Sequence, residues 1–300
     1  MIRVVGIDAD LITYSAGFVL AKREKEGKKV TINDAHTITD TIVRKILRES
    51  KATHYLGFLT YSPANFRIAV AKTLKYKGNR DKAKEKNPIP FKQEIINHMI
   101  IAWGFQLIKG MEADDALTIA GEYFRHKVET YVLATKDKDL WQWEGEHFNM
   151  NTNELMFIDA TSAHYNLWKQ VITGDMPTDN IPGLSHAGKY QTPGFSDVKV
   201  RPLPEHTYGP KSVEKLLAGV DPKEYARVIL EEYLWCYGAW GDEDDDDFAE
   251  ERFYETFALV YMLLELPEGT SIHYDYTKCT KKDLEVPMGF EGYTKTKSEF

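Results

Sequence analysis

Two cysteines, Cys236 and Cys279, are all that 300 residues contain, and neither has a metal-ligand spacing around it. A disulfide framework or zinc finger finds no support here, and the pair fits a reducing, cytoplasmic setting. No apolar run approaches the roughly 20 residues that a membrane-spanning helix needs, so no membrane partner is expected. The start, MIRVVGIDADLITY, lacks the long apolar core and small-residue cleavage site of a signal peptide and reads as a first strand. The G-x-x-x-x-G-K-[ST] loop of many NTPases is missing. So is a positive balance of charge: the net figure is −8. Taken whole, it argues against a nucleic-acid partner, because phosphate binding calls for a basic surface.

The distribution of charge says otherwise. Residues 72–92, KTLKYKGNRDKAKEKNPIPFK, hold Lys72, Lys75, Lys77, Arg80, Lys82, Lys84, Lys86 and Lys92 against Asp81 and Glu85. Acidic residues gather instead in short motifs and in the run 242–247, which reads as solvated surface. Segregation of this kind permits DNA to bind at one place.

Apolar patterning predicts strands at 4–8, 55–59, 105–108 and 130–134. Helices are expected over 34–50 behind an Asn33 cap, from Pro63 as a first helical residue, over 113–125, and briefly after Asp137. Alternating strands and helices predict an α/β fold with a mostly parallel central sheet flanked by helices. Beyond residue 160 helices dominate, at 160–172, 210–218, 222–238 and 248–265, and the tail after 268 is polar and weakly patterned.

The acidic motifs fall at informative places. Asp8 ends the first strand, with Asp10 as a substitute for it. Glu112, Asp114 and Asp115 open a helix after a strand, Asp137 and Asp139 follow the strand TYVLA, and Asp175 and Asp179 follow the helix 160–172. Each cluster alone has an ordinary reading as a helix cap or a surface charge. In a parallel sheet, however, all carboxyl ends lie along one edge, so the first three converge. Converging carboxylates raise one another's pKa values and call for hard cations. Mg²⁺ or Mn²⁺, as two ions about 4 Å apart, would serve in-line phosphodiester displacement.

The series GIDAD, YKGNRDK, MEADDA, ATKDKDLWQ, ITGDMPTDNIPG and GPKSVEKLL resembles the 5′ nuclease family of phage 5′→3′ exonucleases, flap endonucleases and the 5′-nuclease domain of bacterial DNA polymerase I. The resemblance implies that Asp8, Glu112, Asp114, Asp115, Asp137, Asp139, Asp175 and Asp179 hold the metals. It implies that Lys77 acts on the scissile phosphate, with Arg80 beside it. Arg67, Lys72, Lys75, Tyr76, Gly183, Gly209 and Lys211 are implied to contact DNA, Tyr76 by stacking on a base or else by packing.

The same resemblance implies a nuclease domain over 1–172 with a helical arch at about 72–98. A helix–hairpin–helix part follows at 173–268, with an insertion at 184–208 and a K⁺ ion in the hairpin element, and the tail is 269–300. A monomer acting on DNA with a 5′ end or flap, and on RNA–DNA hybrid, in phage-type replication or repair inside a host cytoplasm is the implied role. Two features depart from the pattern. Thr60 stands where many relatives carry an aspartate, and residues 184–208 separate Ile181-Pro-Gly183 from Gly209-Pro-Lys211. A PIN-type ribonuclease and a non-catalytic DNA-binding protein stay open as alternatives.

Overall fold

The computed structural model describes residues 2–80, 88–187, 208–237 and 244–285. The chain forms two compact units, one of Met1–Asn65, Pro88–Ile158 and Met262–Phe300, the other of Phe66–Asn87 and Asp159–Tyr261. These cuts differ from boundaries at 172 and 268. The segment after Phe66 joins the helical unit, and the last segment returns to the sheet unit.

In the sheet unit, β1 (Arg3–Asp8), β2 (His54–Asn65), β3 (Gln106–Gly110), β4 (Thr130–Thr135), β5 (Gly145–Asn149) and β6 (Glu154–Ile158) are ordered β3-β2-β1-β4-β5-β6. The first five are mutually parallel, and β6 is antiparallel to β5. A short β7 (Thr277–Lys278) pairs antiparallel with the start of β2, giving the tail a strand the sequence did not announce. Val4, Val5 and Ile7 of β1 and Val132, Leu133 and Ala134 of β4 are fully buried, as a sheet covered on both faces requires.

Helix Ala9–Lys25 was not anticipated. Its buried residues, Ala9, Ile12, Thr13, Ala16, Gly17 and Leu20, keep helical spacing, but most are too small to register as an apolar stripe. Gly17 is required there, since a Cβ would stand 2.2 Å from the Ile89 side chain. Helix Ile32–Glu49 is capped by Thr31 and not Asn33: Thr31 and Asp34 bond reciprocally as a capping box. Pro63 opens no helix; it lies inside β2, and the next helix is Phe66–Val70. The β5–β6 hairpin was likewise missed, its short strands carrying too few alternating residues to stand out.

The helical unit gathers Ala160–Thr173, Pro210–Leu217, Tyr225–Tyr237 and Asp244–Val260 around an aromatic core. The Trp168 and Phe253 rings stack at 6.0 Å, and Tyr233 meets Phe253 edge-on at 5.5 Å. Buried Tyr233 donates its hydroxyl to the Val171 carbonyl at 2.8 Å. The last of these helices begins inside the acidic run, four residues earlier than expected. Of the expected arch, 81–87 lie outside the described residues. Its far end, to residue 98, falls in helix Lys92–Trp103, which buries Ile95 and Met99 in the sheet unit's core. Most of the expected insertion also lies outside them.

Candidate functional site

At the carboxyl edge of the sheet, two chains of hydrogen bonds tie the end of β1 to the end of β4 on one flank and helix Ala9–Lys25 to β2 on the other. Asp8, which ends β1 and is 2% exposed, caps helix Ala9–Lys25 by accepting from the Leu11 N–H at 3.4 Å. Its other carboxylate oxygen accepts from the Thr135 hydroxyl at the end of β4, at 3.1 Å. The same Thr135 oxygen accepts from the Asp137 N–H at 3.0 Å, and Asp137 accepts from the Asp139 N–H at 3.0 Å. On the other flank, the Thr60 N–H of β2 donates to both Asp10 oxygens at 3.2 Å, and the Thr60 hydroxyl accepts from the Ala113 N–H at 2.9 Å. Glu112, Ala113 and Asp114 thereby start their helix beside β1 and β2.

Burial pushes the Asp8 carboxyl up to about 8, and the neighbouring Asp10 and Asp137 carboxylates push in the same direction. The Thr135 and Leu11 hydrogen bonds oppose the shift without cancelling it. A buried acid so placed holds a proton near neutrality unless a cation takes over its charge. The donors at this edge are oxygens, the set that suits Mg²⁺ or Mn²⁺. The residues present therefore fit the implied metals.

Asp115 differs from its neighbours. It is fully buried, and its two oxygens accept from the Glu112 and Leu263 N–H groups, both at 3.1 Å. That engagement makes it first a brace for the helix start, whereas Asp114 is half-exposed. One participant, Thr135, escaped the sequence reading. It ties Asp8 to Asp137, and its only signal was a hydroxyl at a strand end directly before K-D-K-D. Asp10 acts beside Asp8 and not in its place.

Thr60, which the resemblance sets in place of an aspartate, serves here as a helix-capping hydroxyl. Thr60→Val keeps the shape but leaves the Ala113 N–H without its acceptor, at a cost of about 1 kcal/mol. A thermal-melt Tm lower by a few degrees is expected; an unchanged Tm would mean the cap adds nothing net.

In the helical unit, the motifs YKGNR and GDMPTDNIPG are bound to each other. Asp179, buried, accepts from the Tyr76 hydroxyl at 3.0 Å, faces the Lys77 ammonium at 3.6 Å and pairs with the Arg80 guanidinium. Backbone groups repeat the link: the Lys77 N–H donates to the Asp179 carbonyl at 2.9 Å, and Arg80 Nε to the Thr178 carbonyl at 2.9 Å. Asn79 donates to the carbonyls of Met176 and Pro177, and Asn180 to that of Lys75. Gly174 and Gly183 let the second motif close on itself. A Cβ on either would sit 2.3 Å from backbone atoms of the opposite strand of the turn, and both have positive φ. Asp175 lies half-buried at the base of this turn, its carbonyl accepting from the Asp179 and Ile181 N–H groups.

The expected DNA contacts separate into two groups. Lys72, Lys75 and Lys211 are exposed, Lys211 in the first turn of Pro210–Leu217, which Gly209 precedes as N-cap. Tyr76 packs in the core and does not present a face for stacking. Arg67 requires a correction. It is 0% exposed and donates to the carbonyls of Leu259 and Tyr261 at 2.9 and 2.6 Å, so it braces the helical unit and offers DNA no surface.

A search of curated sequences gave no match. Two solved structures share the fold. The T5 D15 protein co-crystallised with metal ions has a TM-score of 0.55 at 14% identity, over 86% of this chain and 88% of that one. The T5 5′-exonuclease with bound divalent zinc ions has a TM-score of 0.55 at 16% identity, again over 86% and 88%. Residues 3–168 match the sequence family described as 5′-3′ exonuclease, N-terminal resolvase-like domain. With more than half of its length matched in this way, the chain belongs to the 5′-3′ exonuclease family.

Proposed function

We propose that the protein hydrolyses DNA phosphodiesters near a 5′ end or at a 5′ flap, and removes RNA primers from RNA–DNA hybrid, with two divalent ions held by carboxylates. The observation that carries this reading is Asp8, a buried acid with its pKa raised to about 8 between Asp10 and Asp137 at the sheet's carboxyl edge. Asp8, Glu112, Asp114, Asp137 and Asp139 would hold the ions, with Asp10 beside them. When bound, such ions lower the pKa of a water and offset charge on the leaving oxygen. Asp115 keeps Glu112 and Asp114 in register by bracing the helix start. The family resemblance assigns Asp175 and Asp179 to the metals as well. Asp179 also serves a second purpose, holding Lys77 and Arg80 in one orientation toward an incoming phosphate. Such preorganised cations stabilise charge that develops on the phosphoryl oxygens. Replication or repair, in a phage-type setting, is the process such cutting serves.

The test is product analysis on 5′-labelled flap, nicked and blunt duplex DNA. Cleavage should vanish in EDTA and return with Mg²⁺ or Mn²⁺; turnover that persists in a metal-free assay would overturn the reading. Lys77→Ala should slow single-turnover cleavage at saturating enzyme by about 10². A wild-type rate there would return Lys77 to the general basic surface.

A further inference from the structure

A shallow hollow, open to solvent, lies in the sheet unit beside the carboxylate centre. It is lined by Lys45 and Lys136, by Asn151 and Asn153, and by an apolar floor that includes Ile46 and Met150. Lys136 sits in the chain between Thr135 and Asp137, so the hollow begins one residue from the carboxylates. Among the described residues neither lysine makes an ion pair. The acid nearest to Lys45 in its own helix, Glu49, pairs with Arg48 instead. Burial pulls the Lys45 ammonium below the ordinary lysine pKa, and Arg48 adds to the shift while Glu49 opposes it. An unpaired ammonium that has lost part of its hydration gains most from an arriving anion.

The wall carrying the two amides is built, not loose. Asn149 accepts from the Asn151 and Thr152 N–H groups at 2.9 and 3.2 Å, and the Asn153 N–H returns to the Asn149 carbonyl at 2.8 Å with φ of 59°. Met150 is tied to the end of β4 by its N–H on the Thr135 carbonyl at 3.0 Å. Two cations, two amide donors and an apolar floor on a fixed turn suit a phosphate that carries a sugar.

We propose that this hollow is a phosphate subsite for the nucleic-acid strand, which seats one nucleotide beside the reacting one, its phosphate between Lys45 and Lys136 and its sugar against Ile46 and Met150. The proposal rests on the nuclease reading, but its test does not need cleavage. In EDTA at low salt, where no divalent ion can bridge, deoxyadenosine 5′-monophosphate and deoxyadenosine are titrated while the methyl signal of Met150 is followed by NMR. The monophosphate should move that signal and bind about tenfold tighter than the nucleoside, the worth of a charge-assisted contact. In the double variant Lys45→Gln, Lys136→Gln, checked for an unchanged Tm, that advantage should disappear.

The second arm measures flap-DNA affinity in Ca²⁺ at two salt concentrations. The double variant should bind at least about tenfold more weakly at low salt, with a salt slope shallower by between one and two. Its single-turnover rate on saturating DNA should stay close to wild type, because the subsite binds and does not react. Equal binding of nucleotide and nucleoside, or an unmoved Met150 signal, overturns the proposal. So does loss of nucleotide binding with wild-type DNA affinity, which would make the hollow a site for free nucleotides alone. A protein that cuts no DNA yet gives both binding results would keep the subsite and sink the nuclease reading.

Discussion

Asp8→Asn should abolish metal-dependent cleavage and, in the same protein, raise the Tm of the metal-free form. Both effects have one cause. The Asp8 carboxyl is buried against Asp10 and Asp137 and titrates near 8, against 3.8 for the free side chain. Between those values the native state keeps a proton that the unfolded chain has released, so stability falls as pH rises from about 4 to about 8 and then levels. Asparagine can still accept from the Leu11 N–H and meet the Thr135 hydroxyl, while the titration is gone. The variant should therefore melt several degrees higher at pH 8 in EDTA, and its Tm should vary less with pH.

Mg²⁺ or Mn²⁺ should narrow the gap by raising only the wild-type Tm, since a cation displaces the proton it competes with. The rate loss should be on the order of 10³, comparable to losing a preorganised electrostatic partner in a reaction site. Equal melting of the two metal-free proteins across this pH range would show that Asp8 is not the strained acid described here. Retained cleavage would remove it from the metal centre.

Arg67→Ala should be the most damaging single change in the helical unit. Its guanidinium is wholly enclosed and donates to the carbonyls of Leu259 and Tyr261, where the chain leaves helix Asp244–Val260. Removing it strands two buried acceptors and empties the space it filled, which costs about 3–5 kcal/mol. The urea midpoint should fall accordingly, with earlier proteolytic cutting in the helical unit. Lys72→Ala, on the surface a few residues on, should leave the midpoint unchanged and weaken DNA binding in a salt-dependent way. An unchanged midpoint for Arg67→Ala with weaker DNA binding would restore the role that the family resemblance suggested.

Strand ends and acidic motifs were legible because each is local. VVGID and TYVLA read as buried strands, and a parallel sheet then brings Asp8 and Asp137 to one edge without further assumption. Helix Ala9–Lys25 was hidden because it buries alanine, glycine and threonine, residues that carry little hydrophobic signal. Arg67 misled for the opposite reason. An arginine in a basic stretch looks exposed, and only carbonyls some 190 positions later make it a core residue. Thr60 could be seen to break the carboxylate pattern, but not to cap the helix at Ala113. Nothing in YKGNR alone foretold that Asp179 would hold both its cations, because that clamp joins segments about a hundred residues apart.

The way in which the sheet unit is threaded has a consequence for how the protein is made. Strands β1 to β6 are complete by Ile158, yet the brace on Asp115 comes from the Leu263 N–H, and Thr118 donates to the Leu263 carbonyl at 2.6 Å. A ribosome synthesising the chain from its N-terminus delivers that partner only after the whole helical segment 159–261 has emerged. Until then the helix bearing Glu112 and Asp114 lacks two of its anchors, and closing so long a loop is slow. The acidic centre is thus among the last parts of the molecule to become rigid, and a nascent chain carries its carboxylates well before it can hold them in working order.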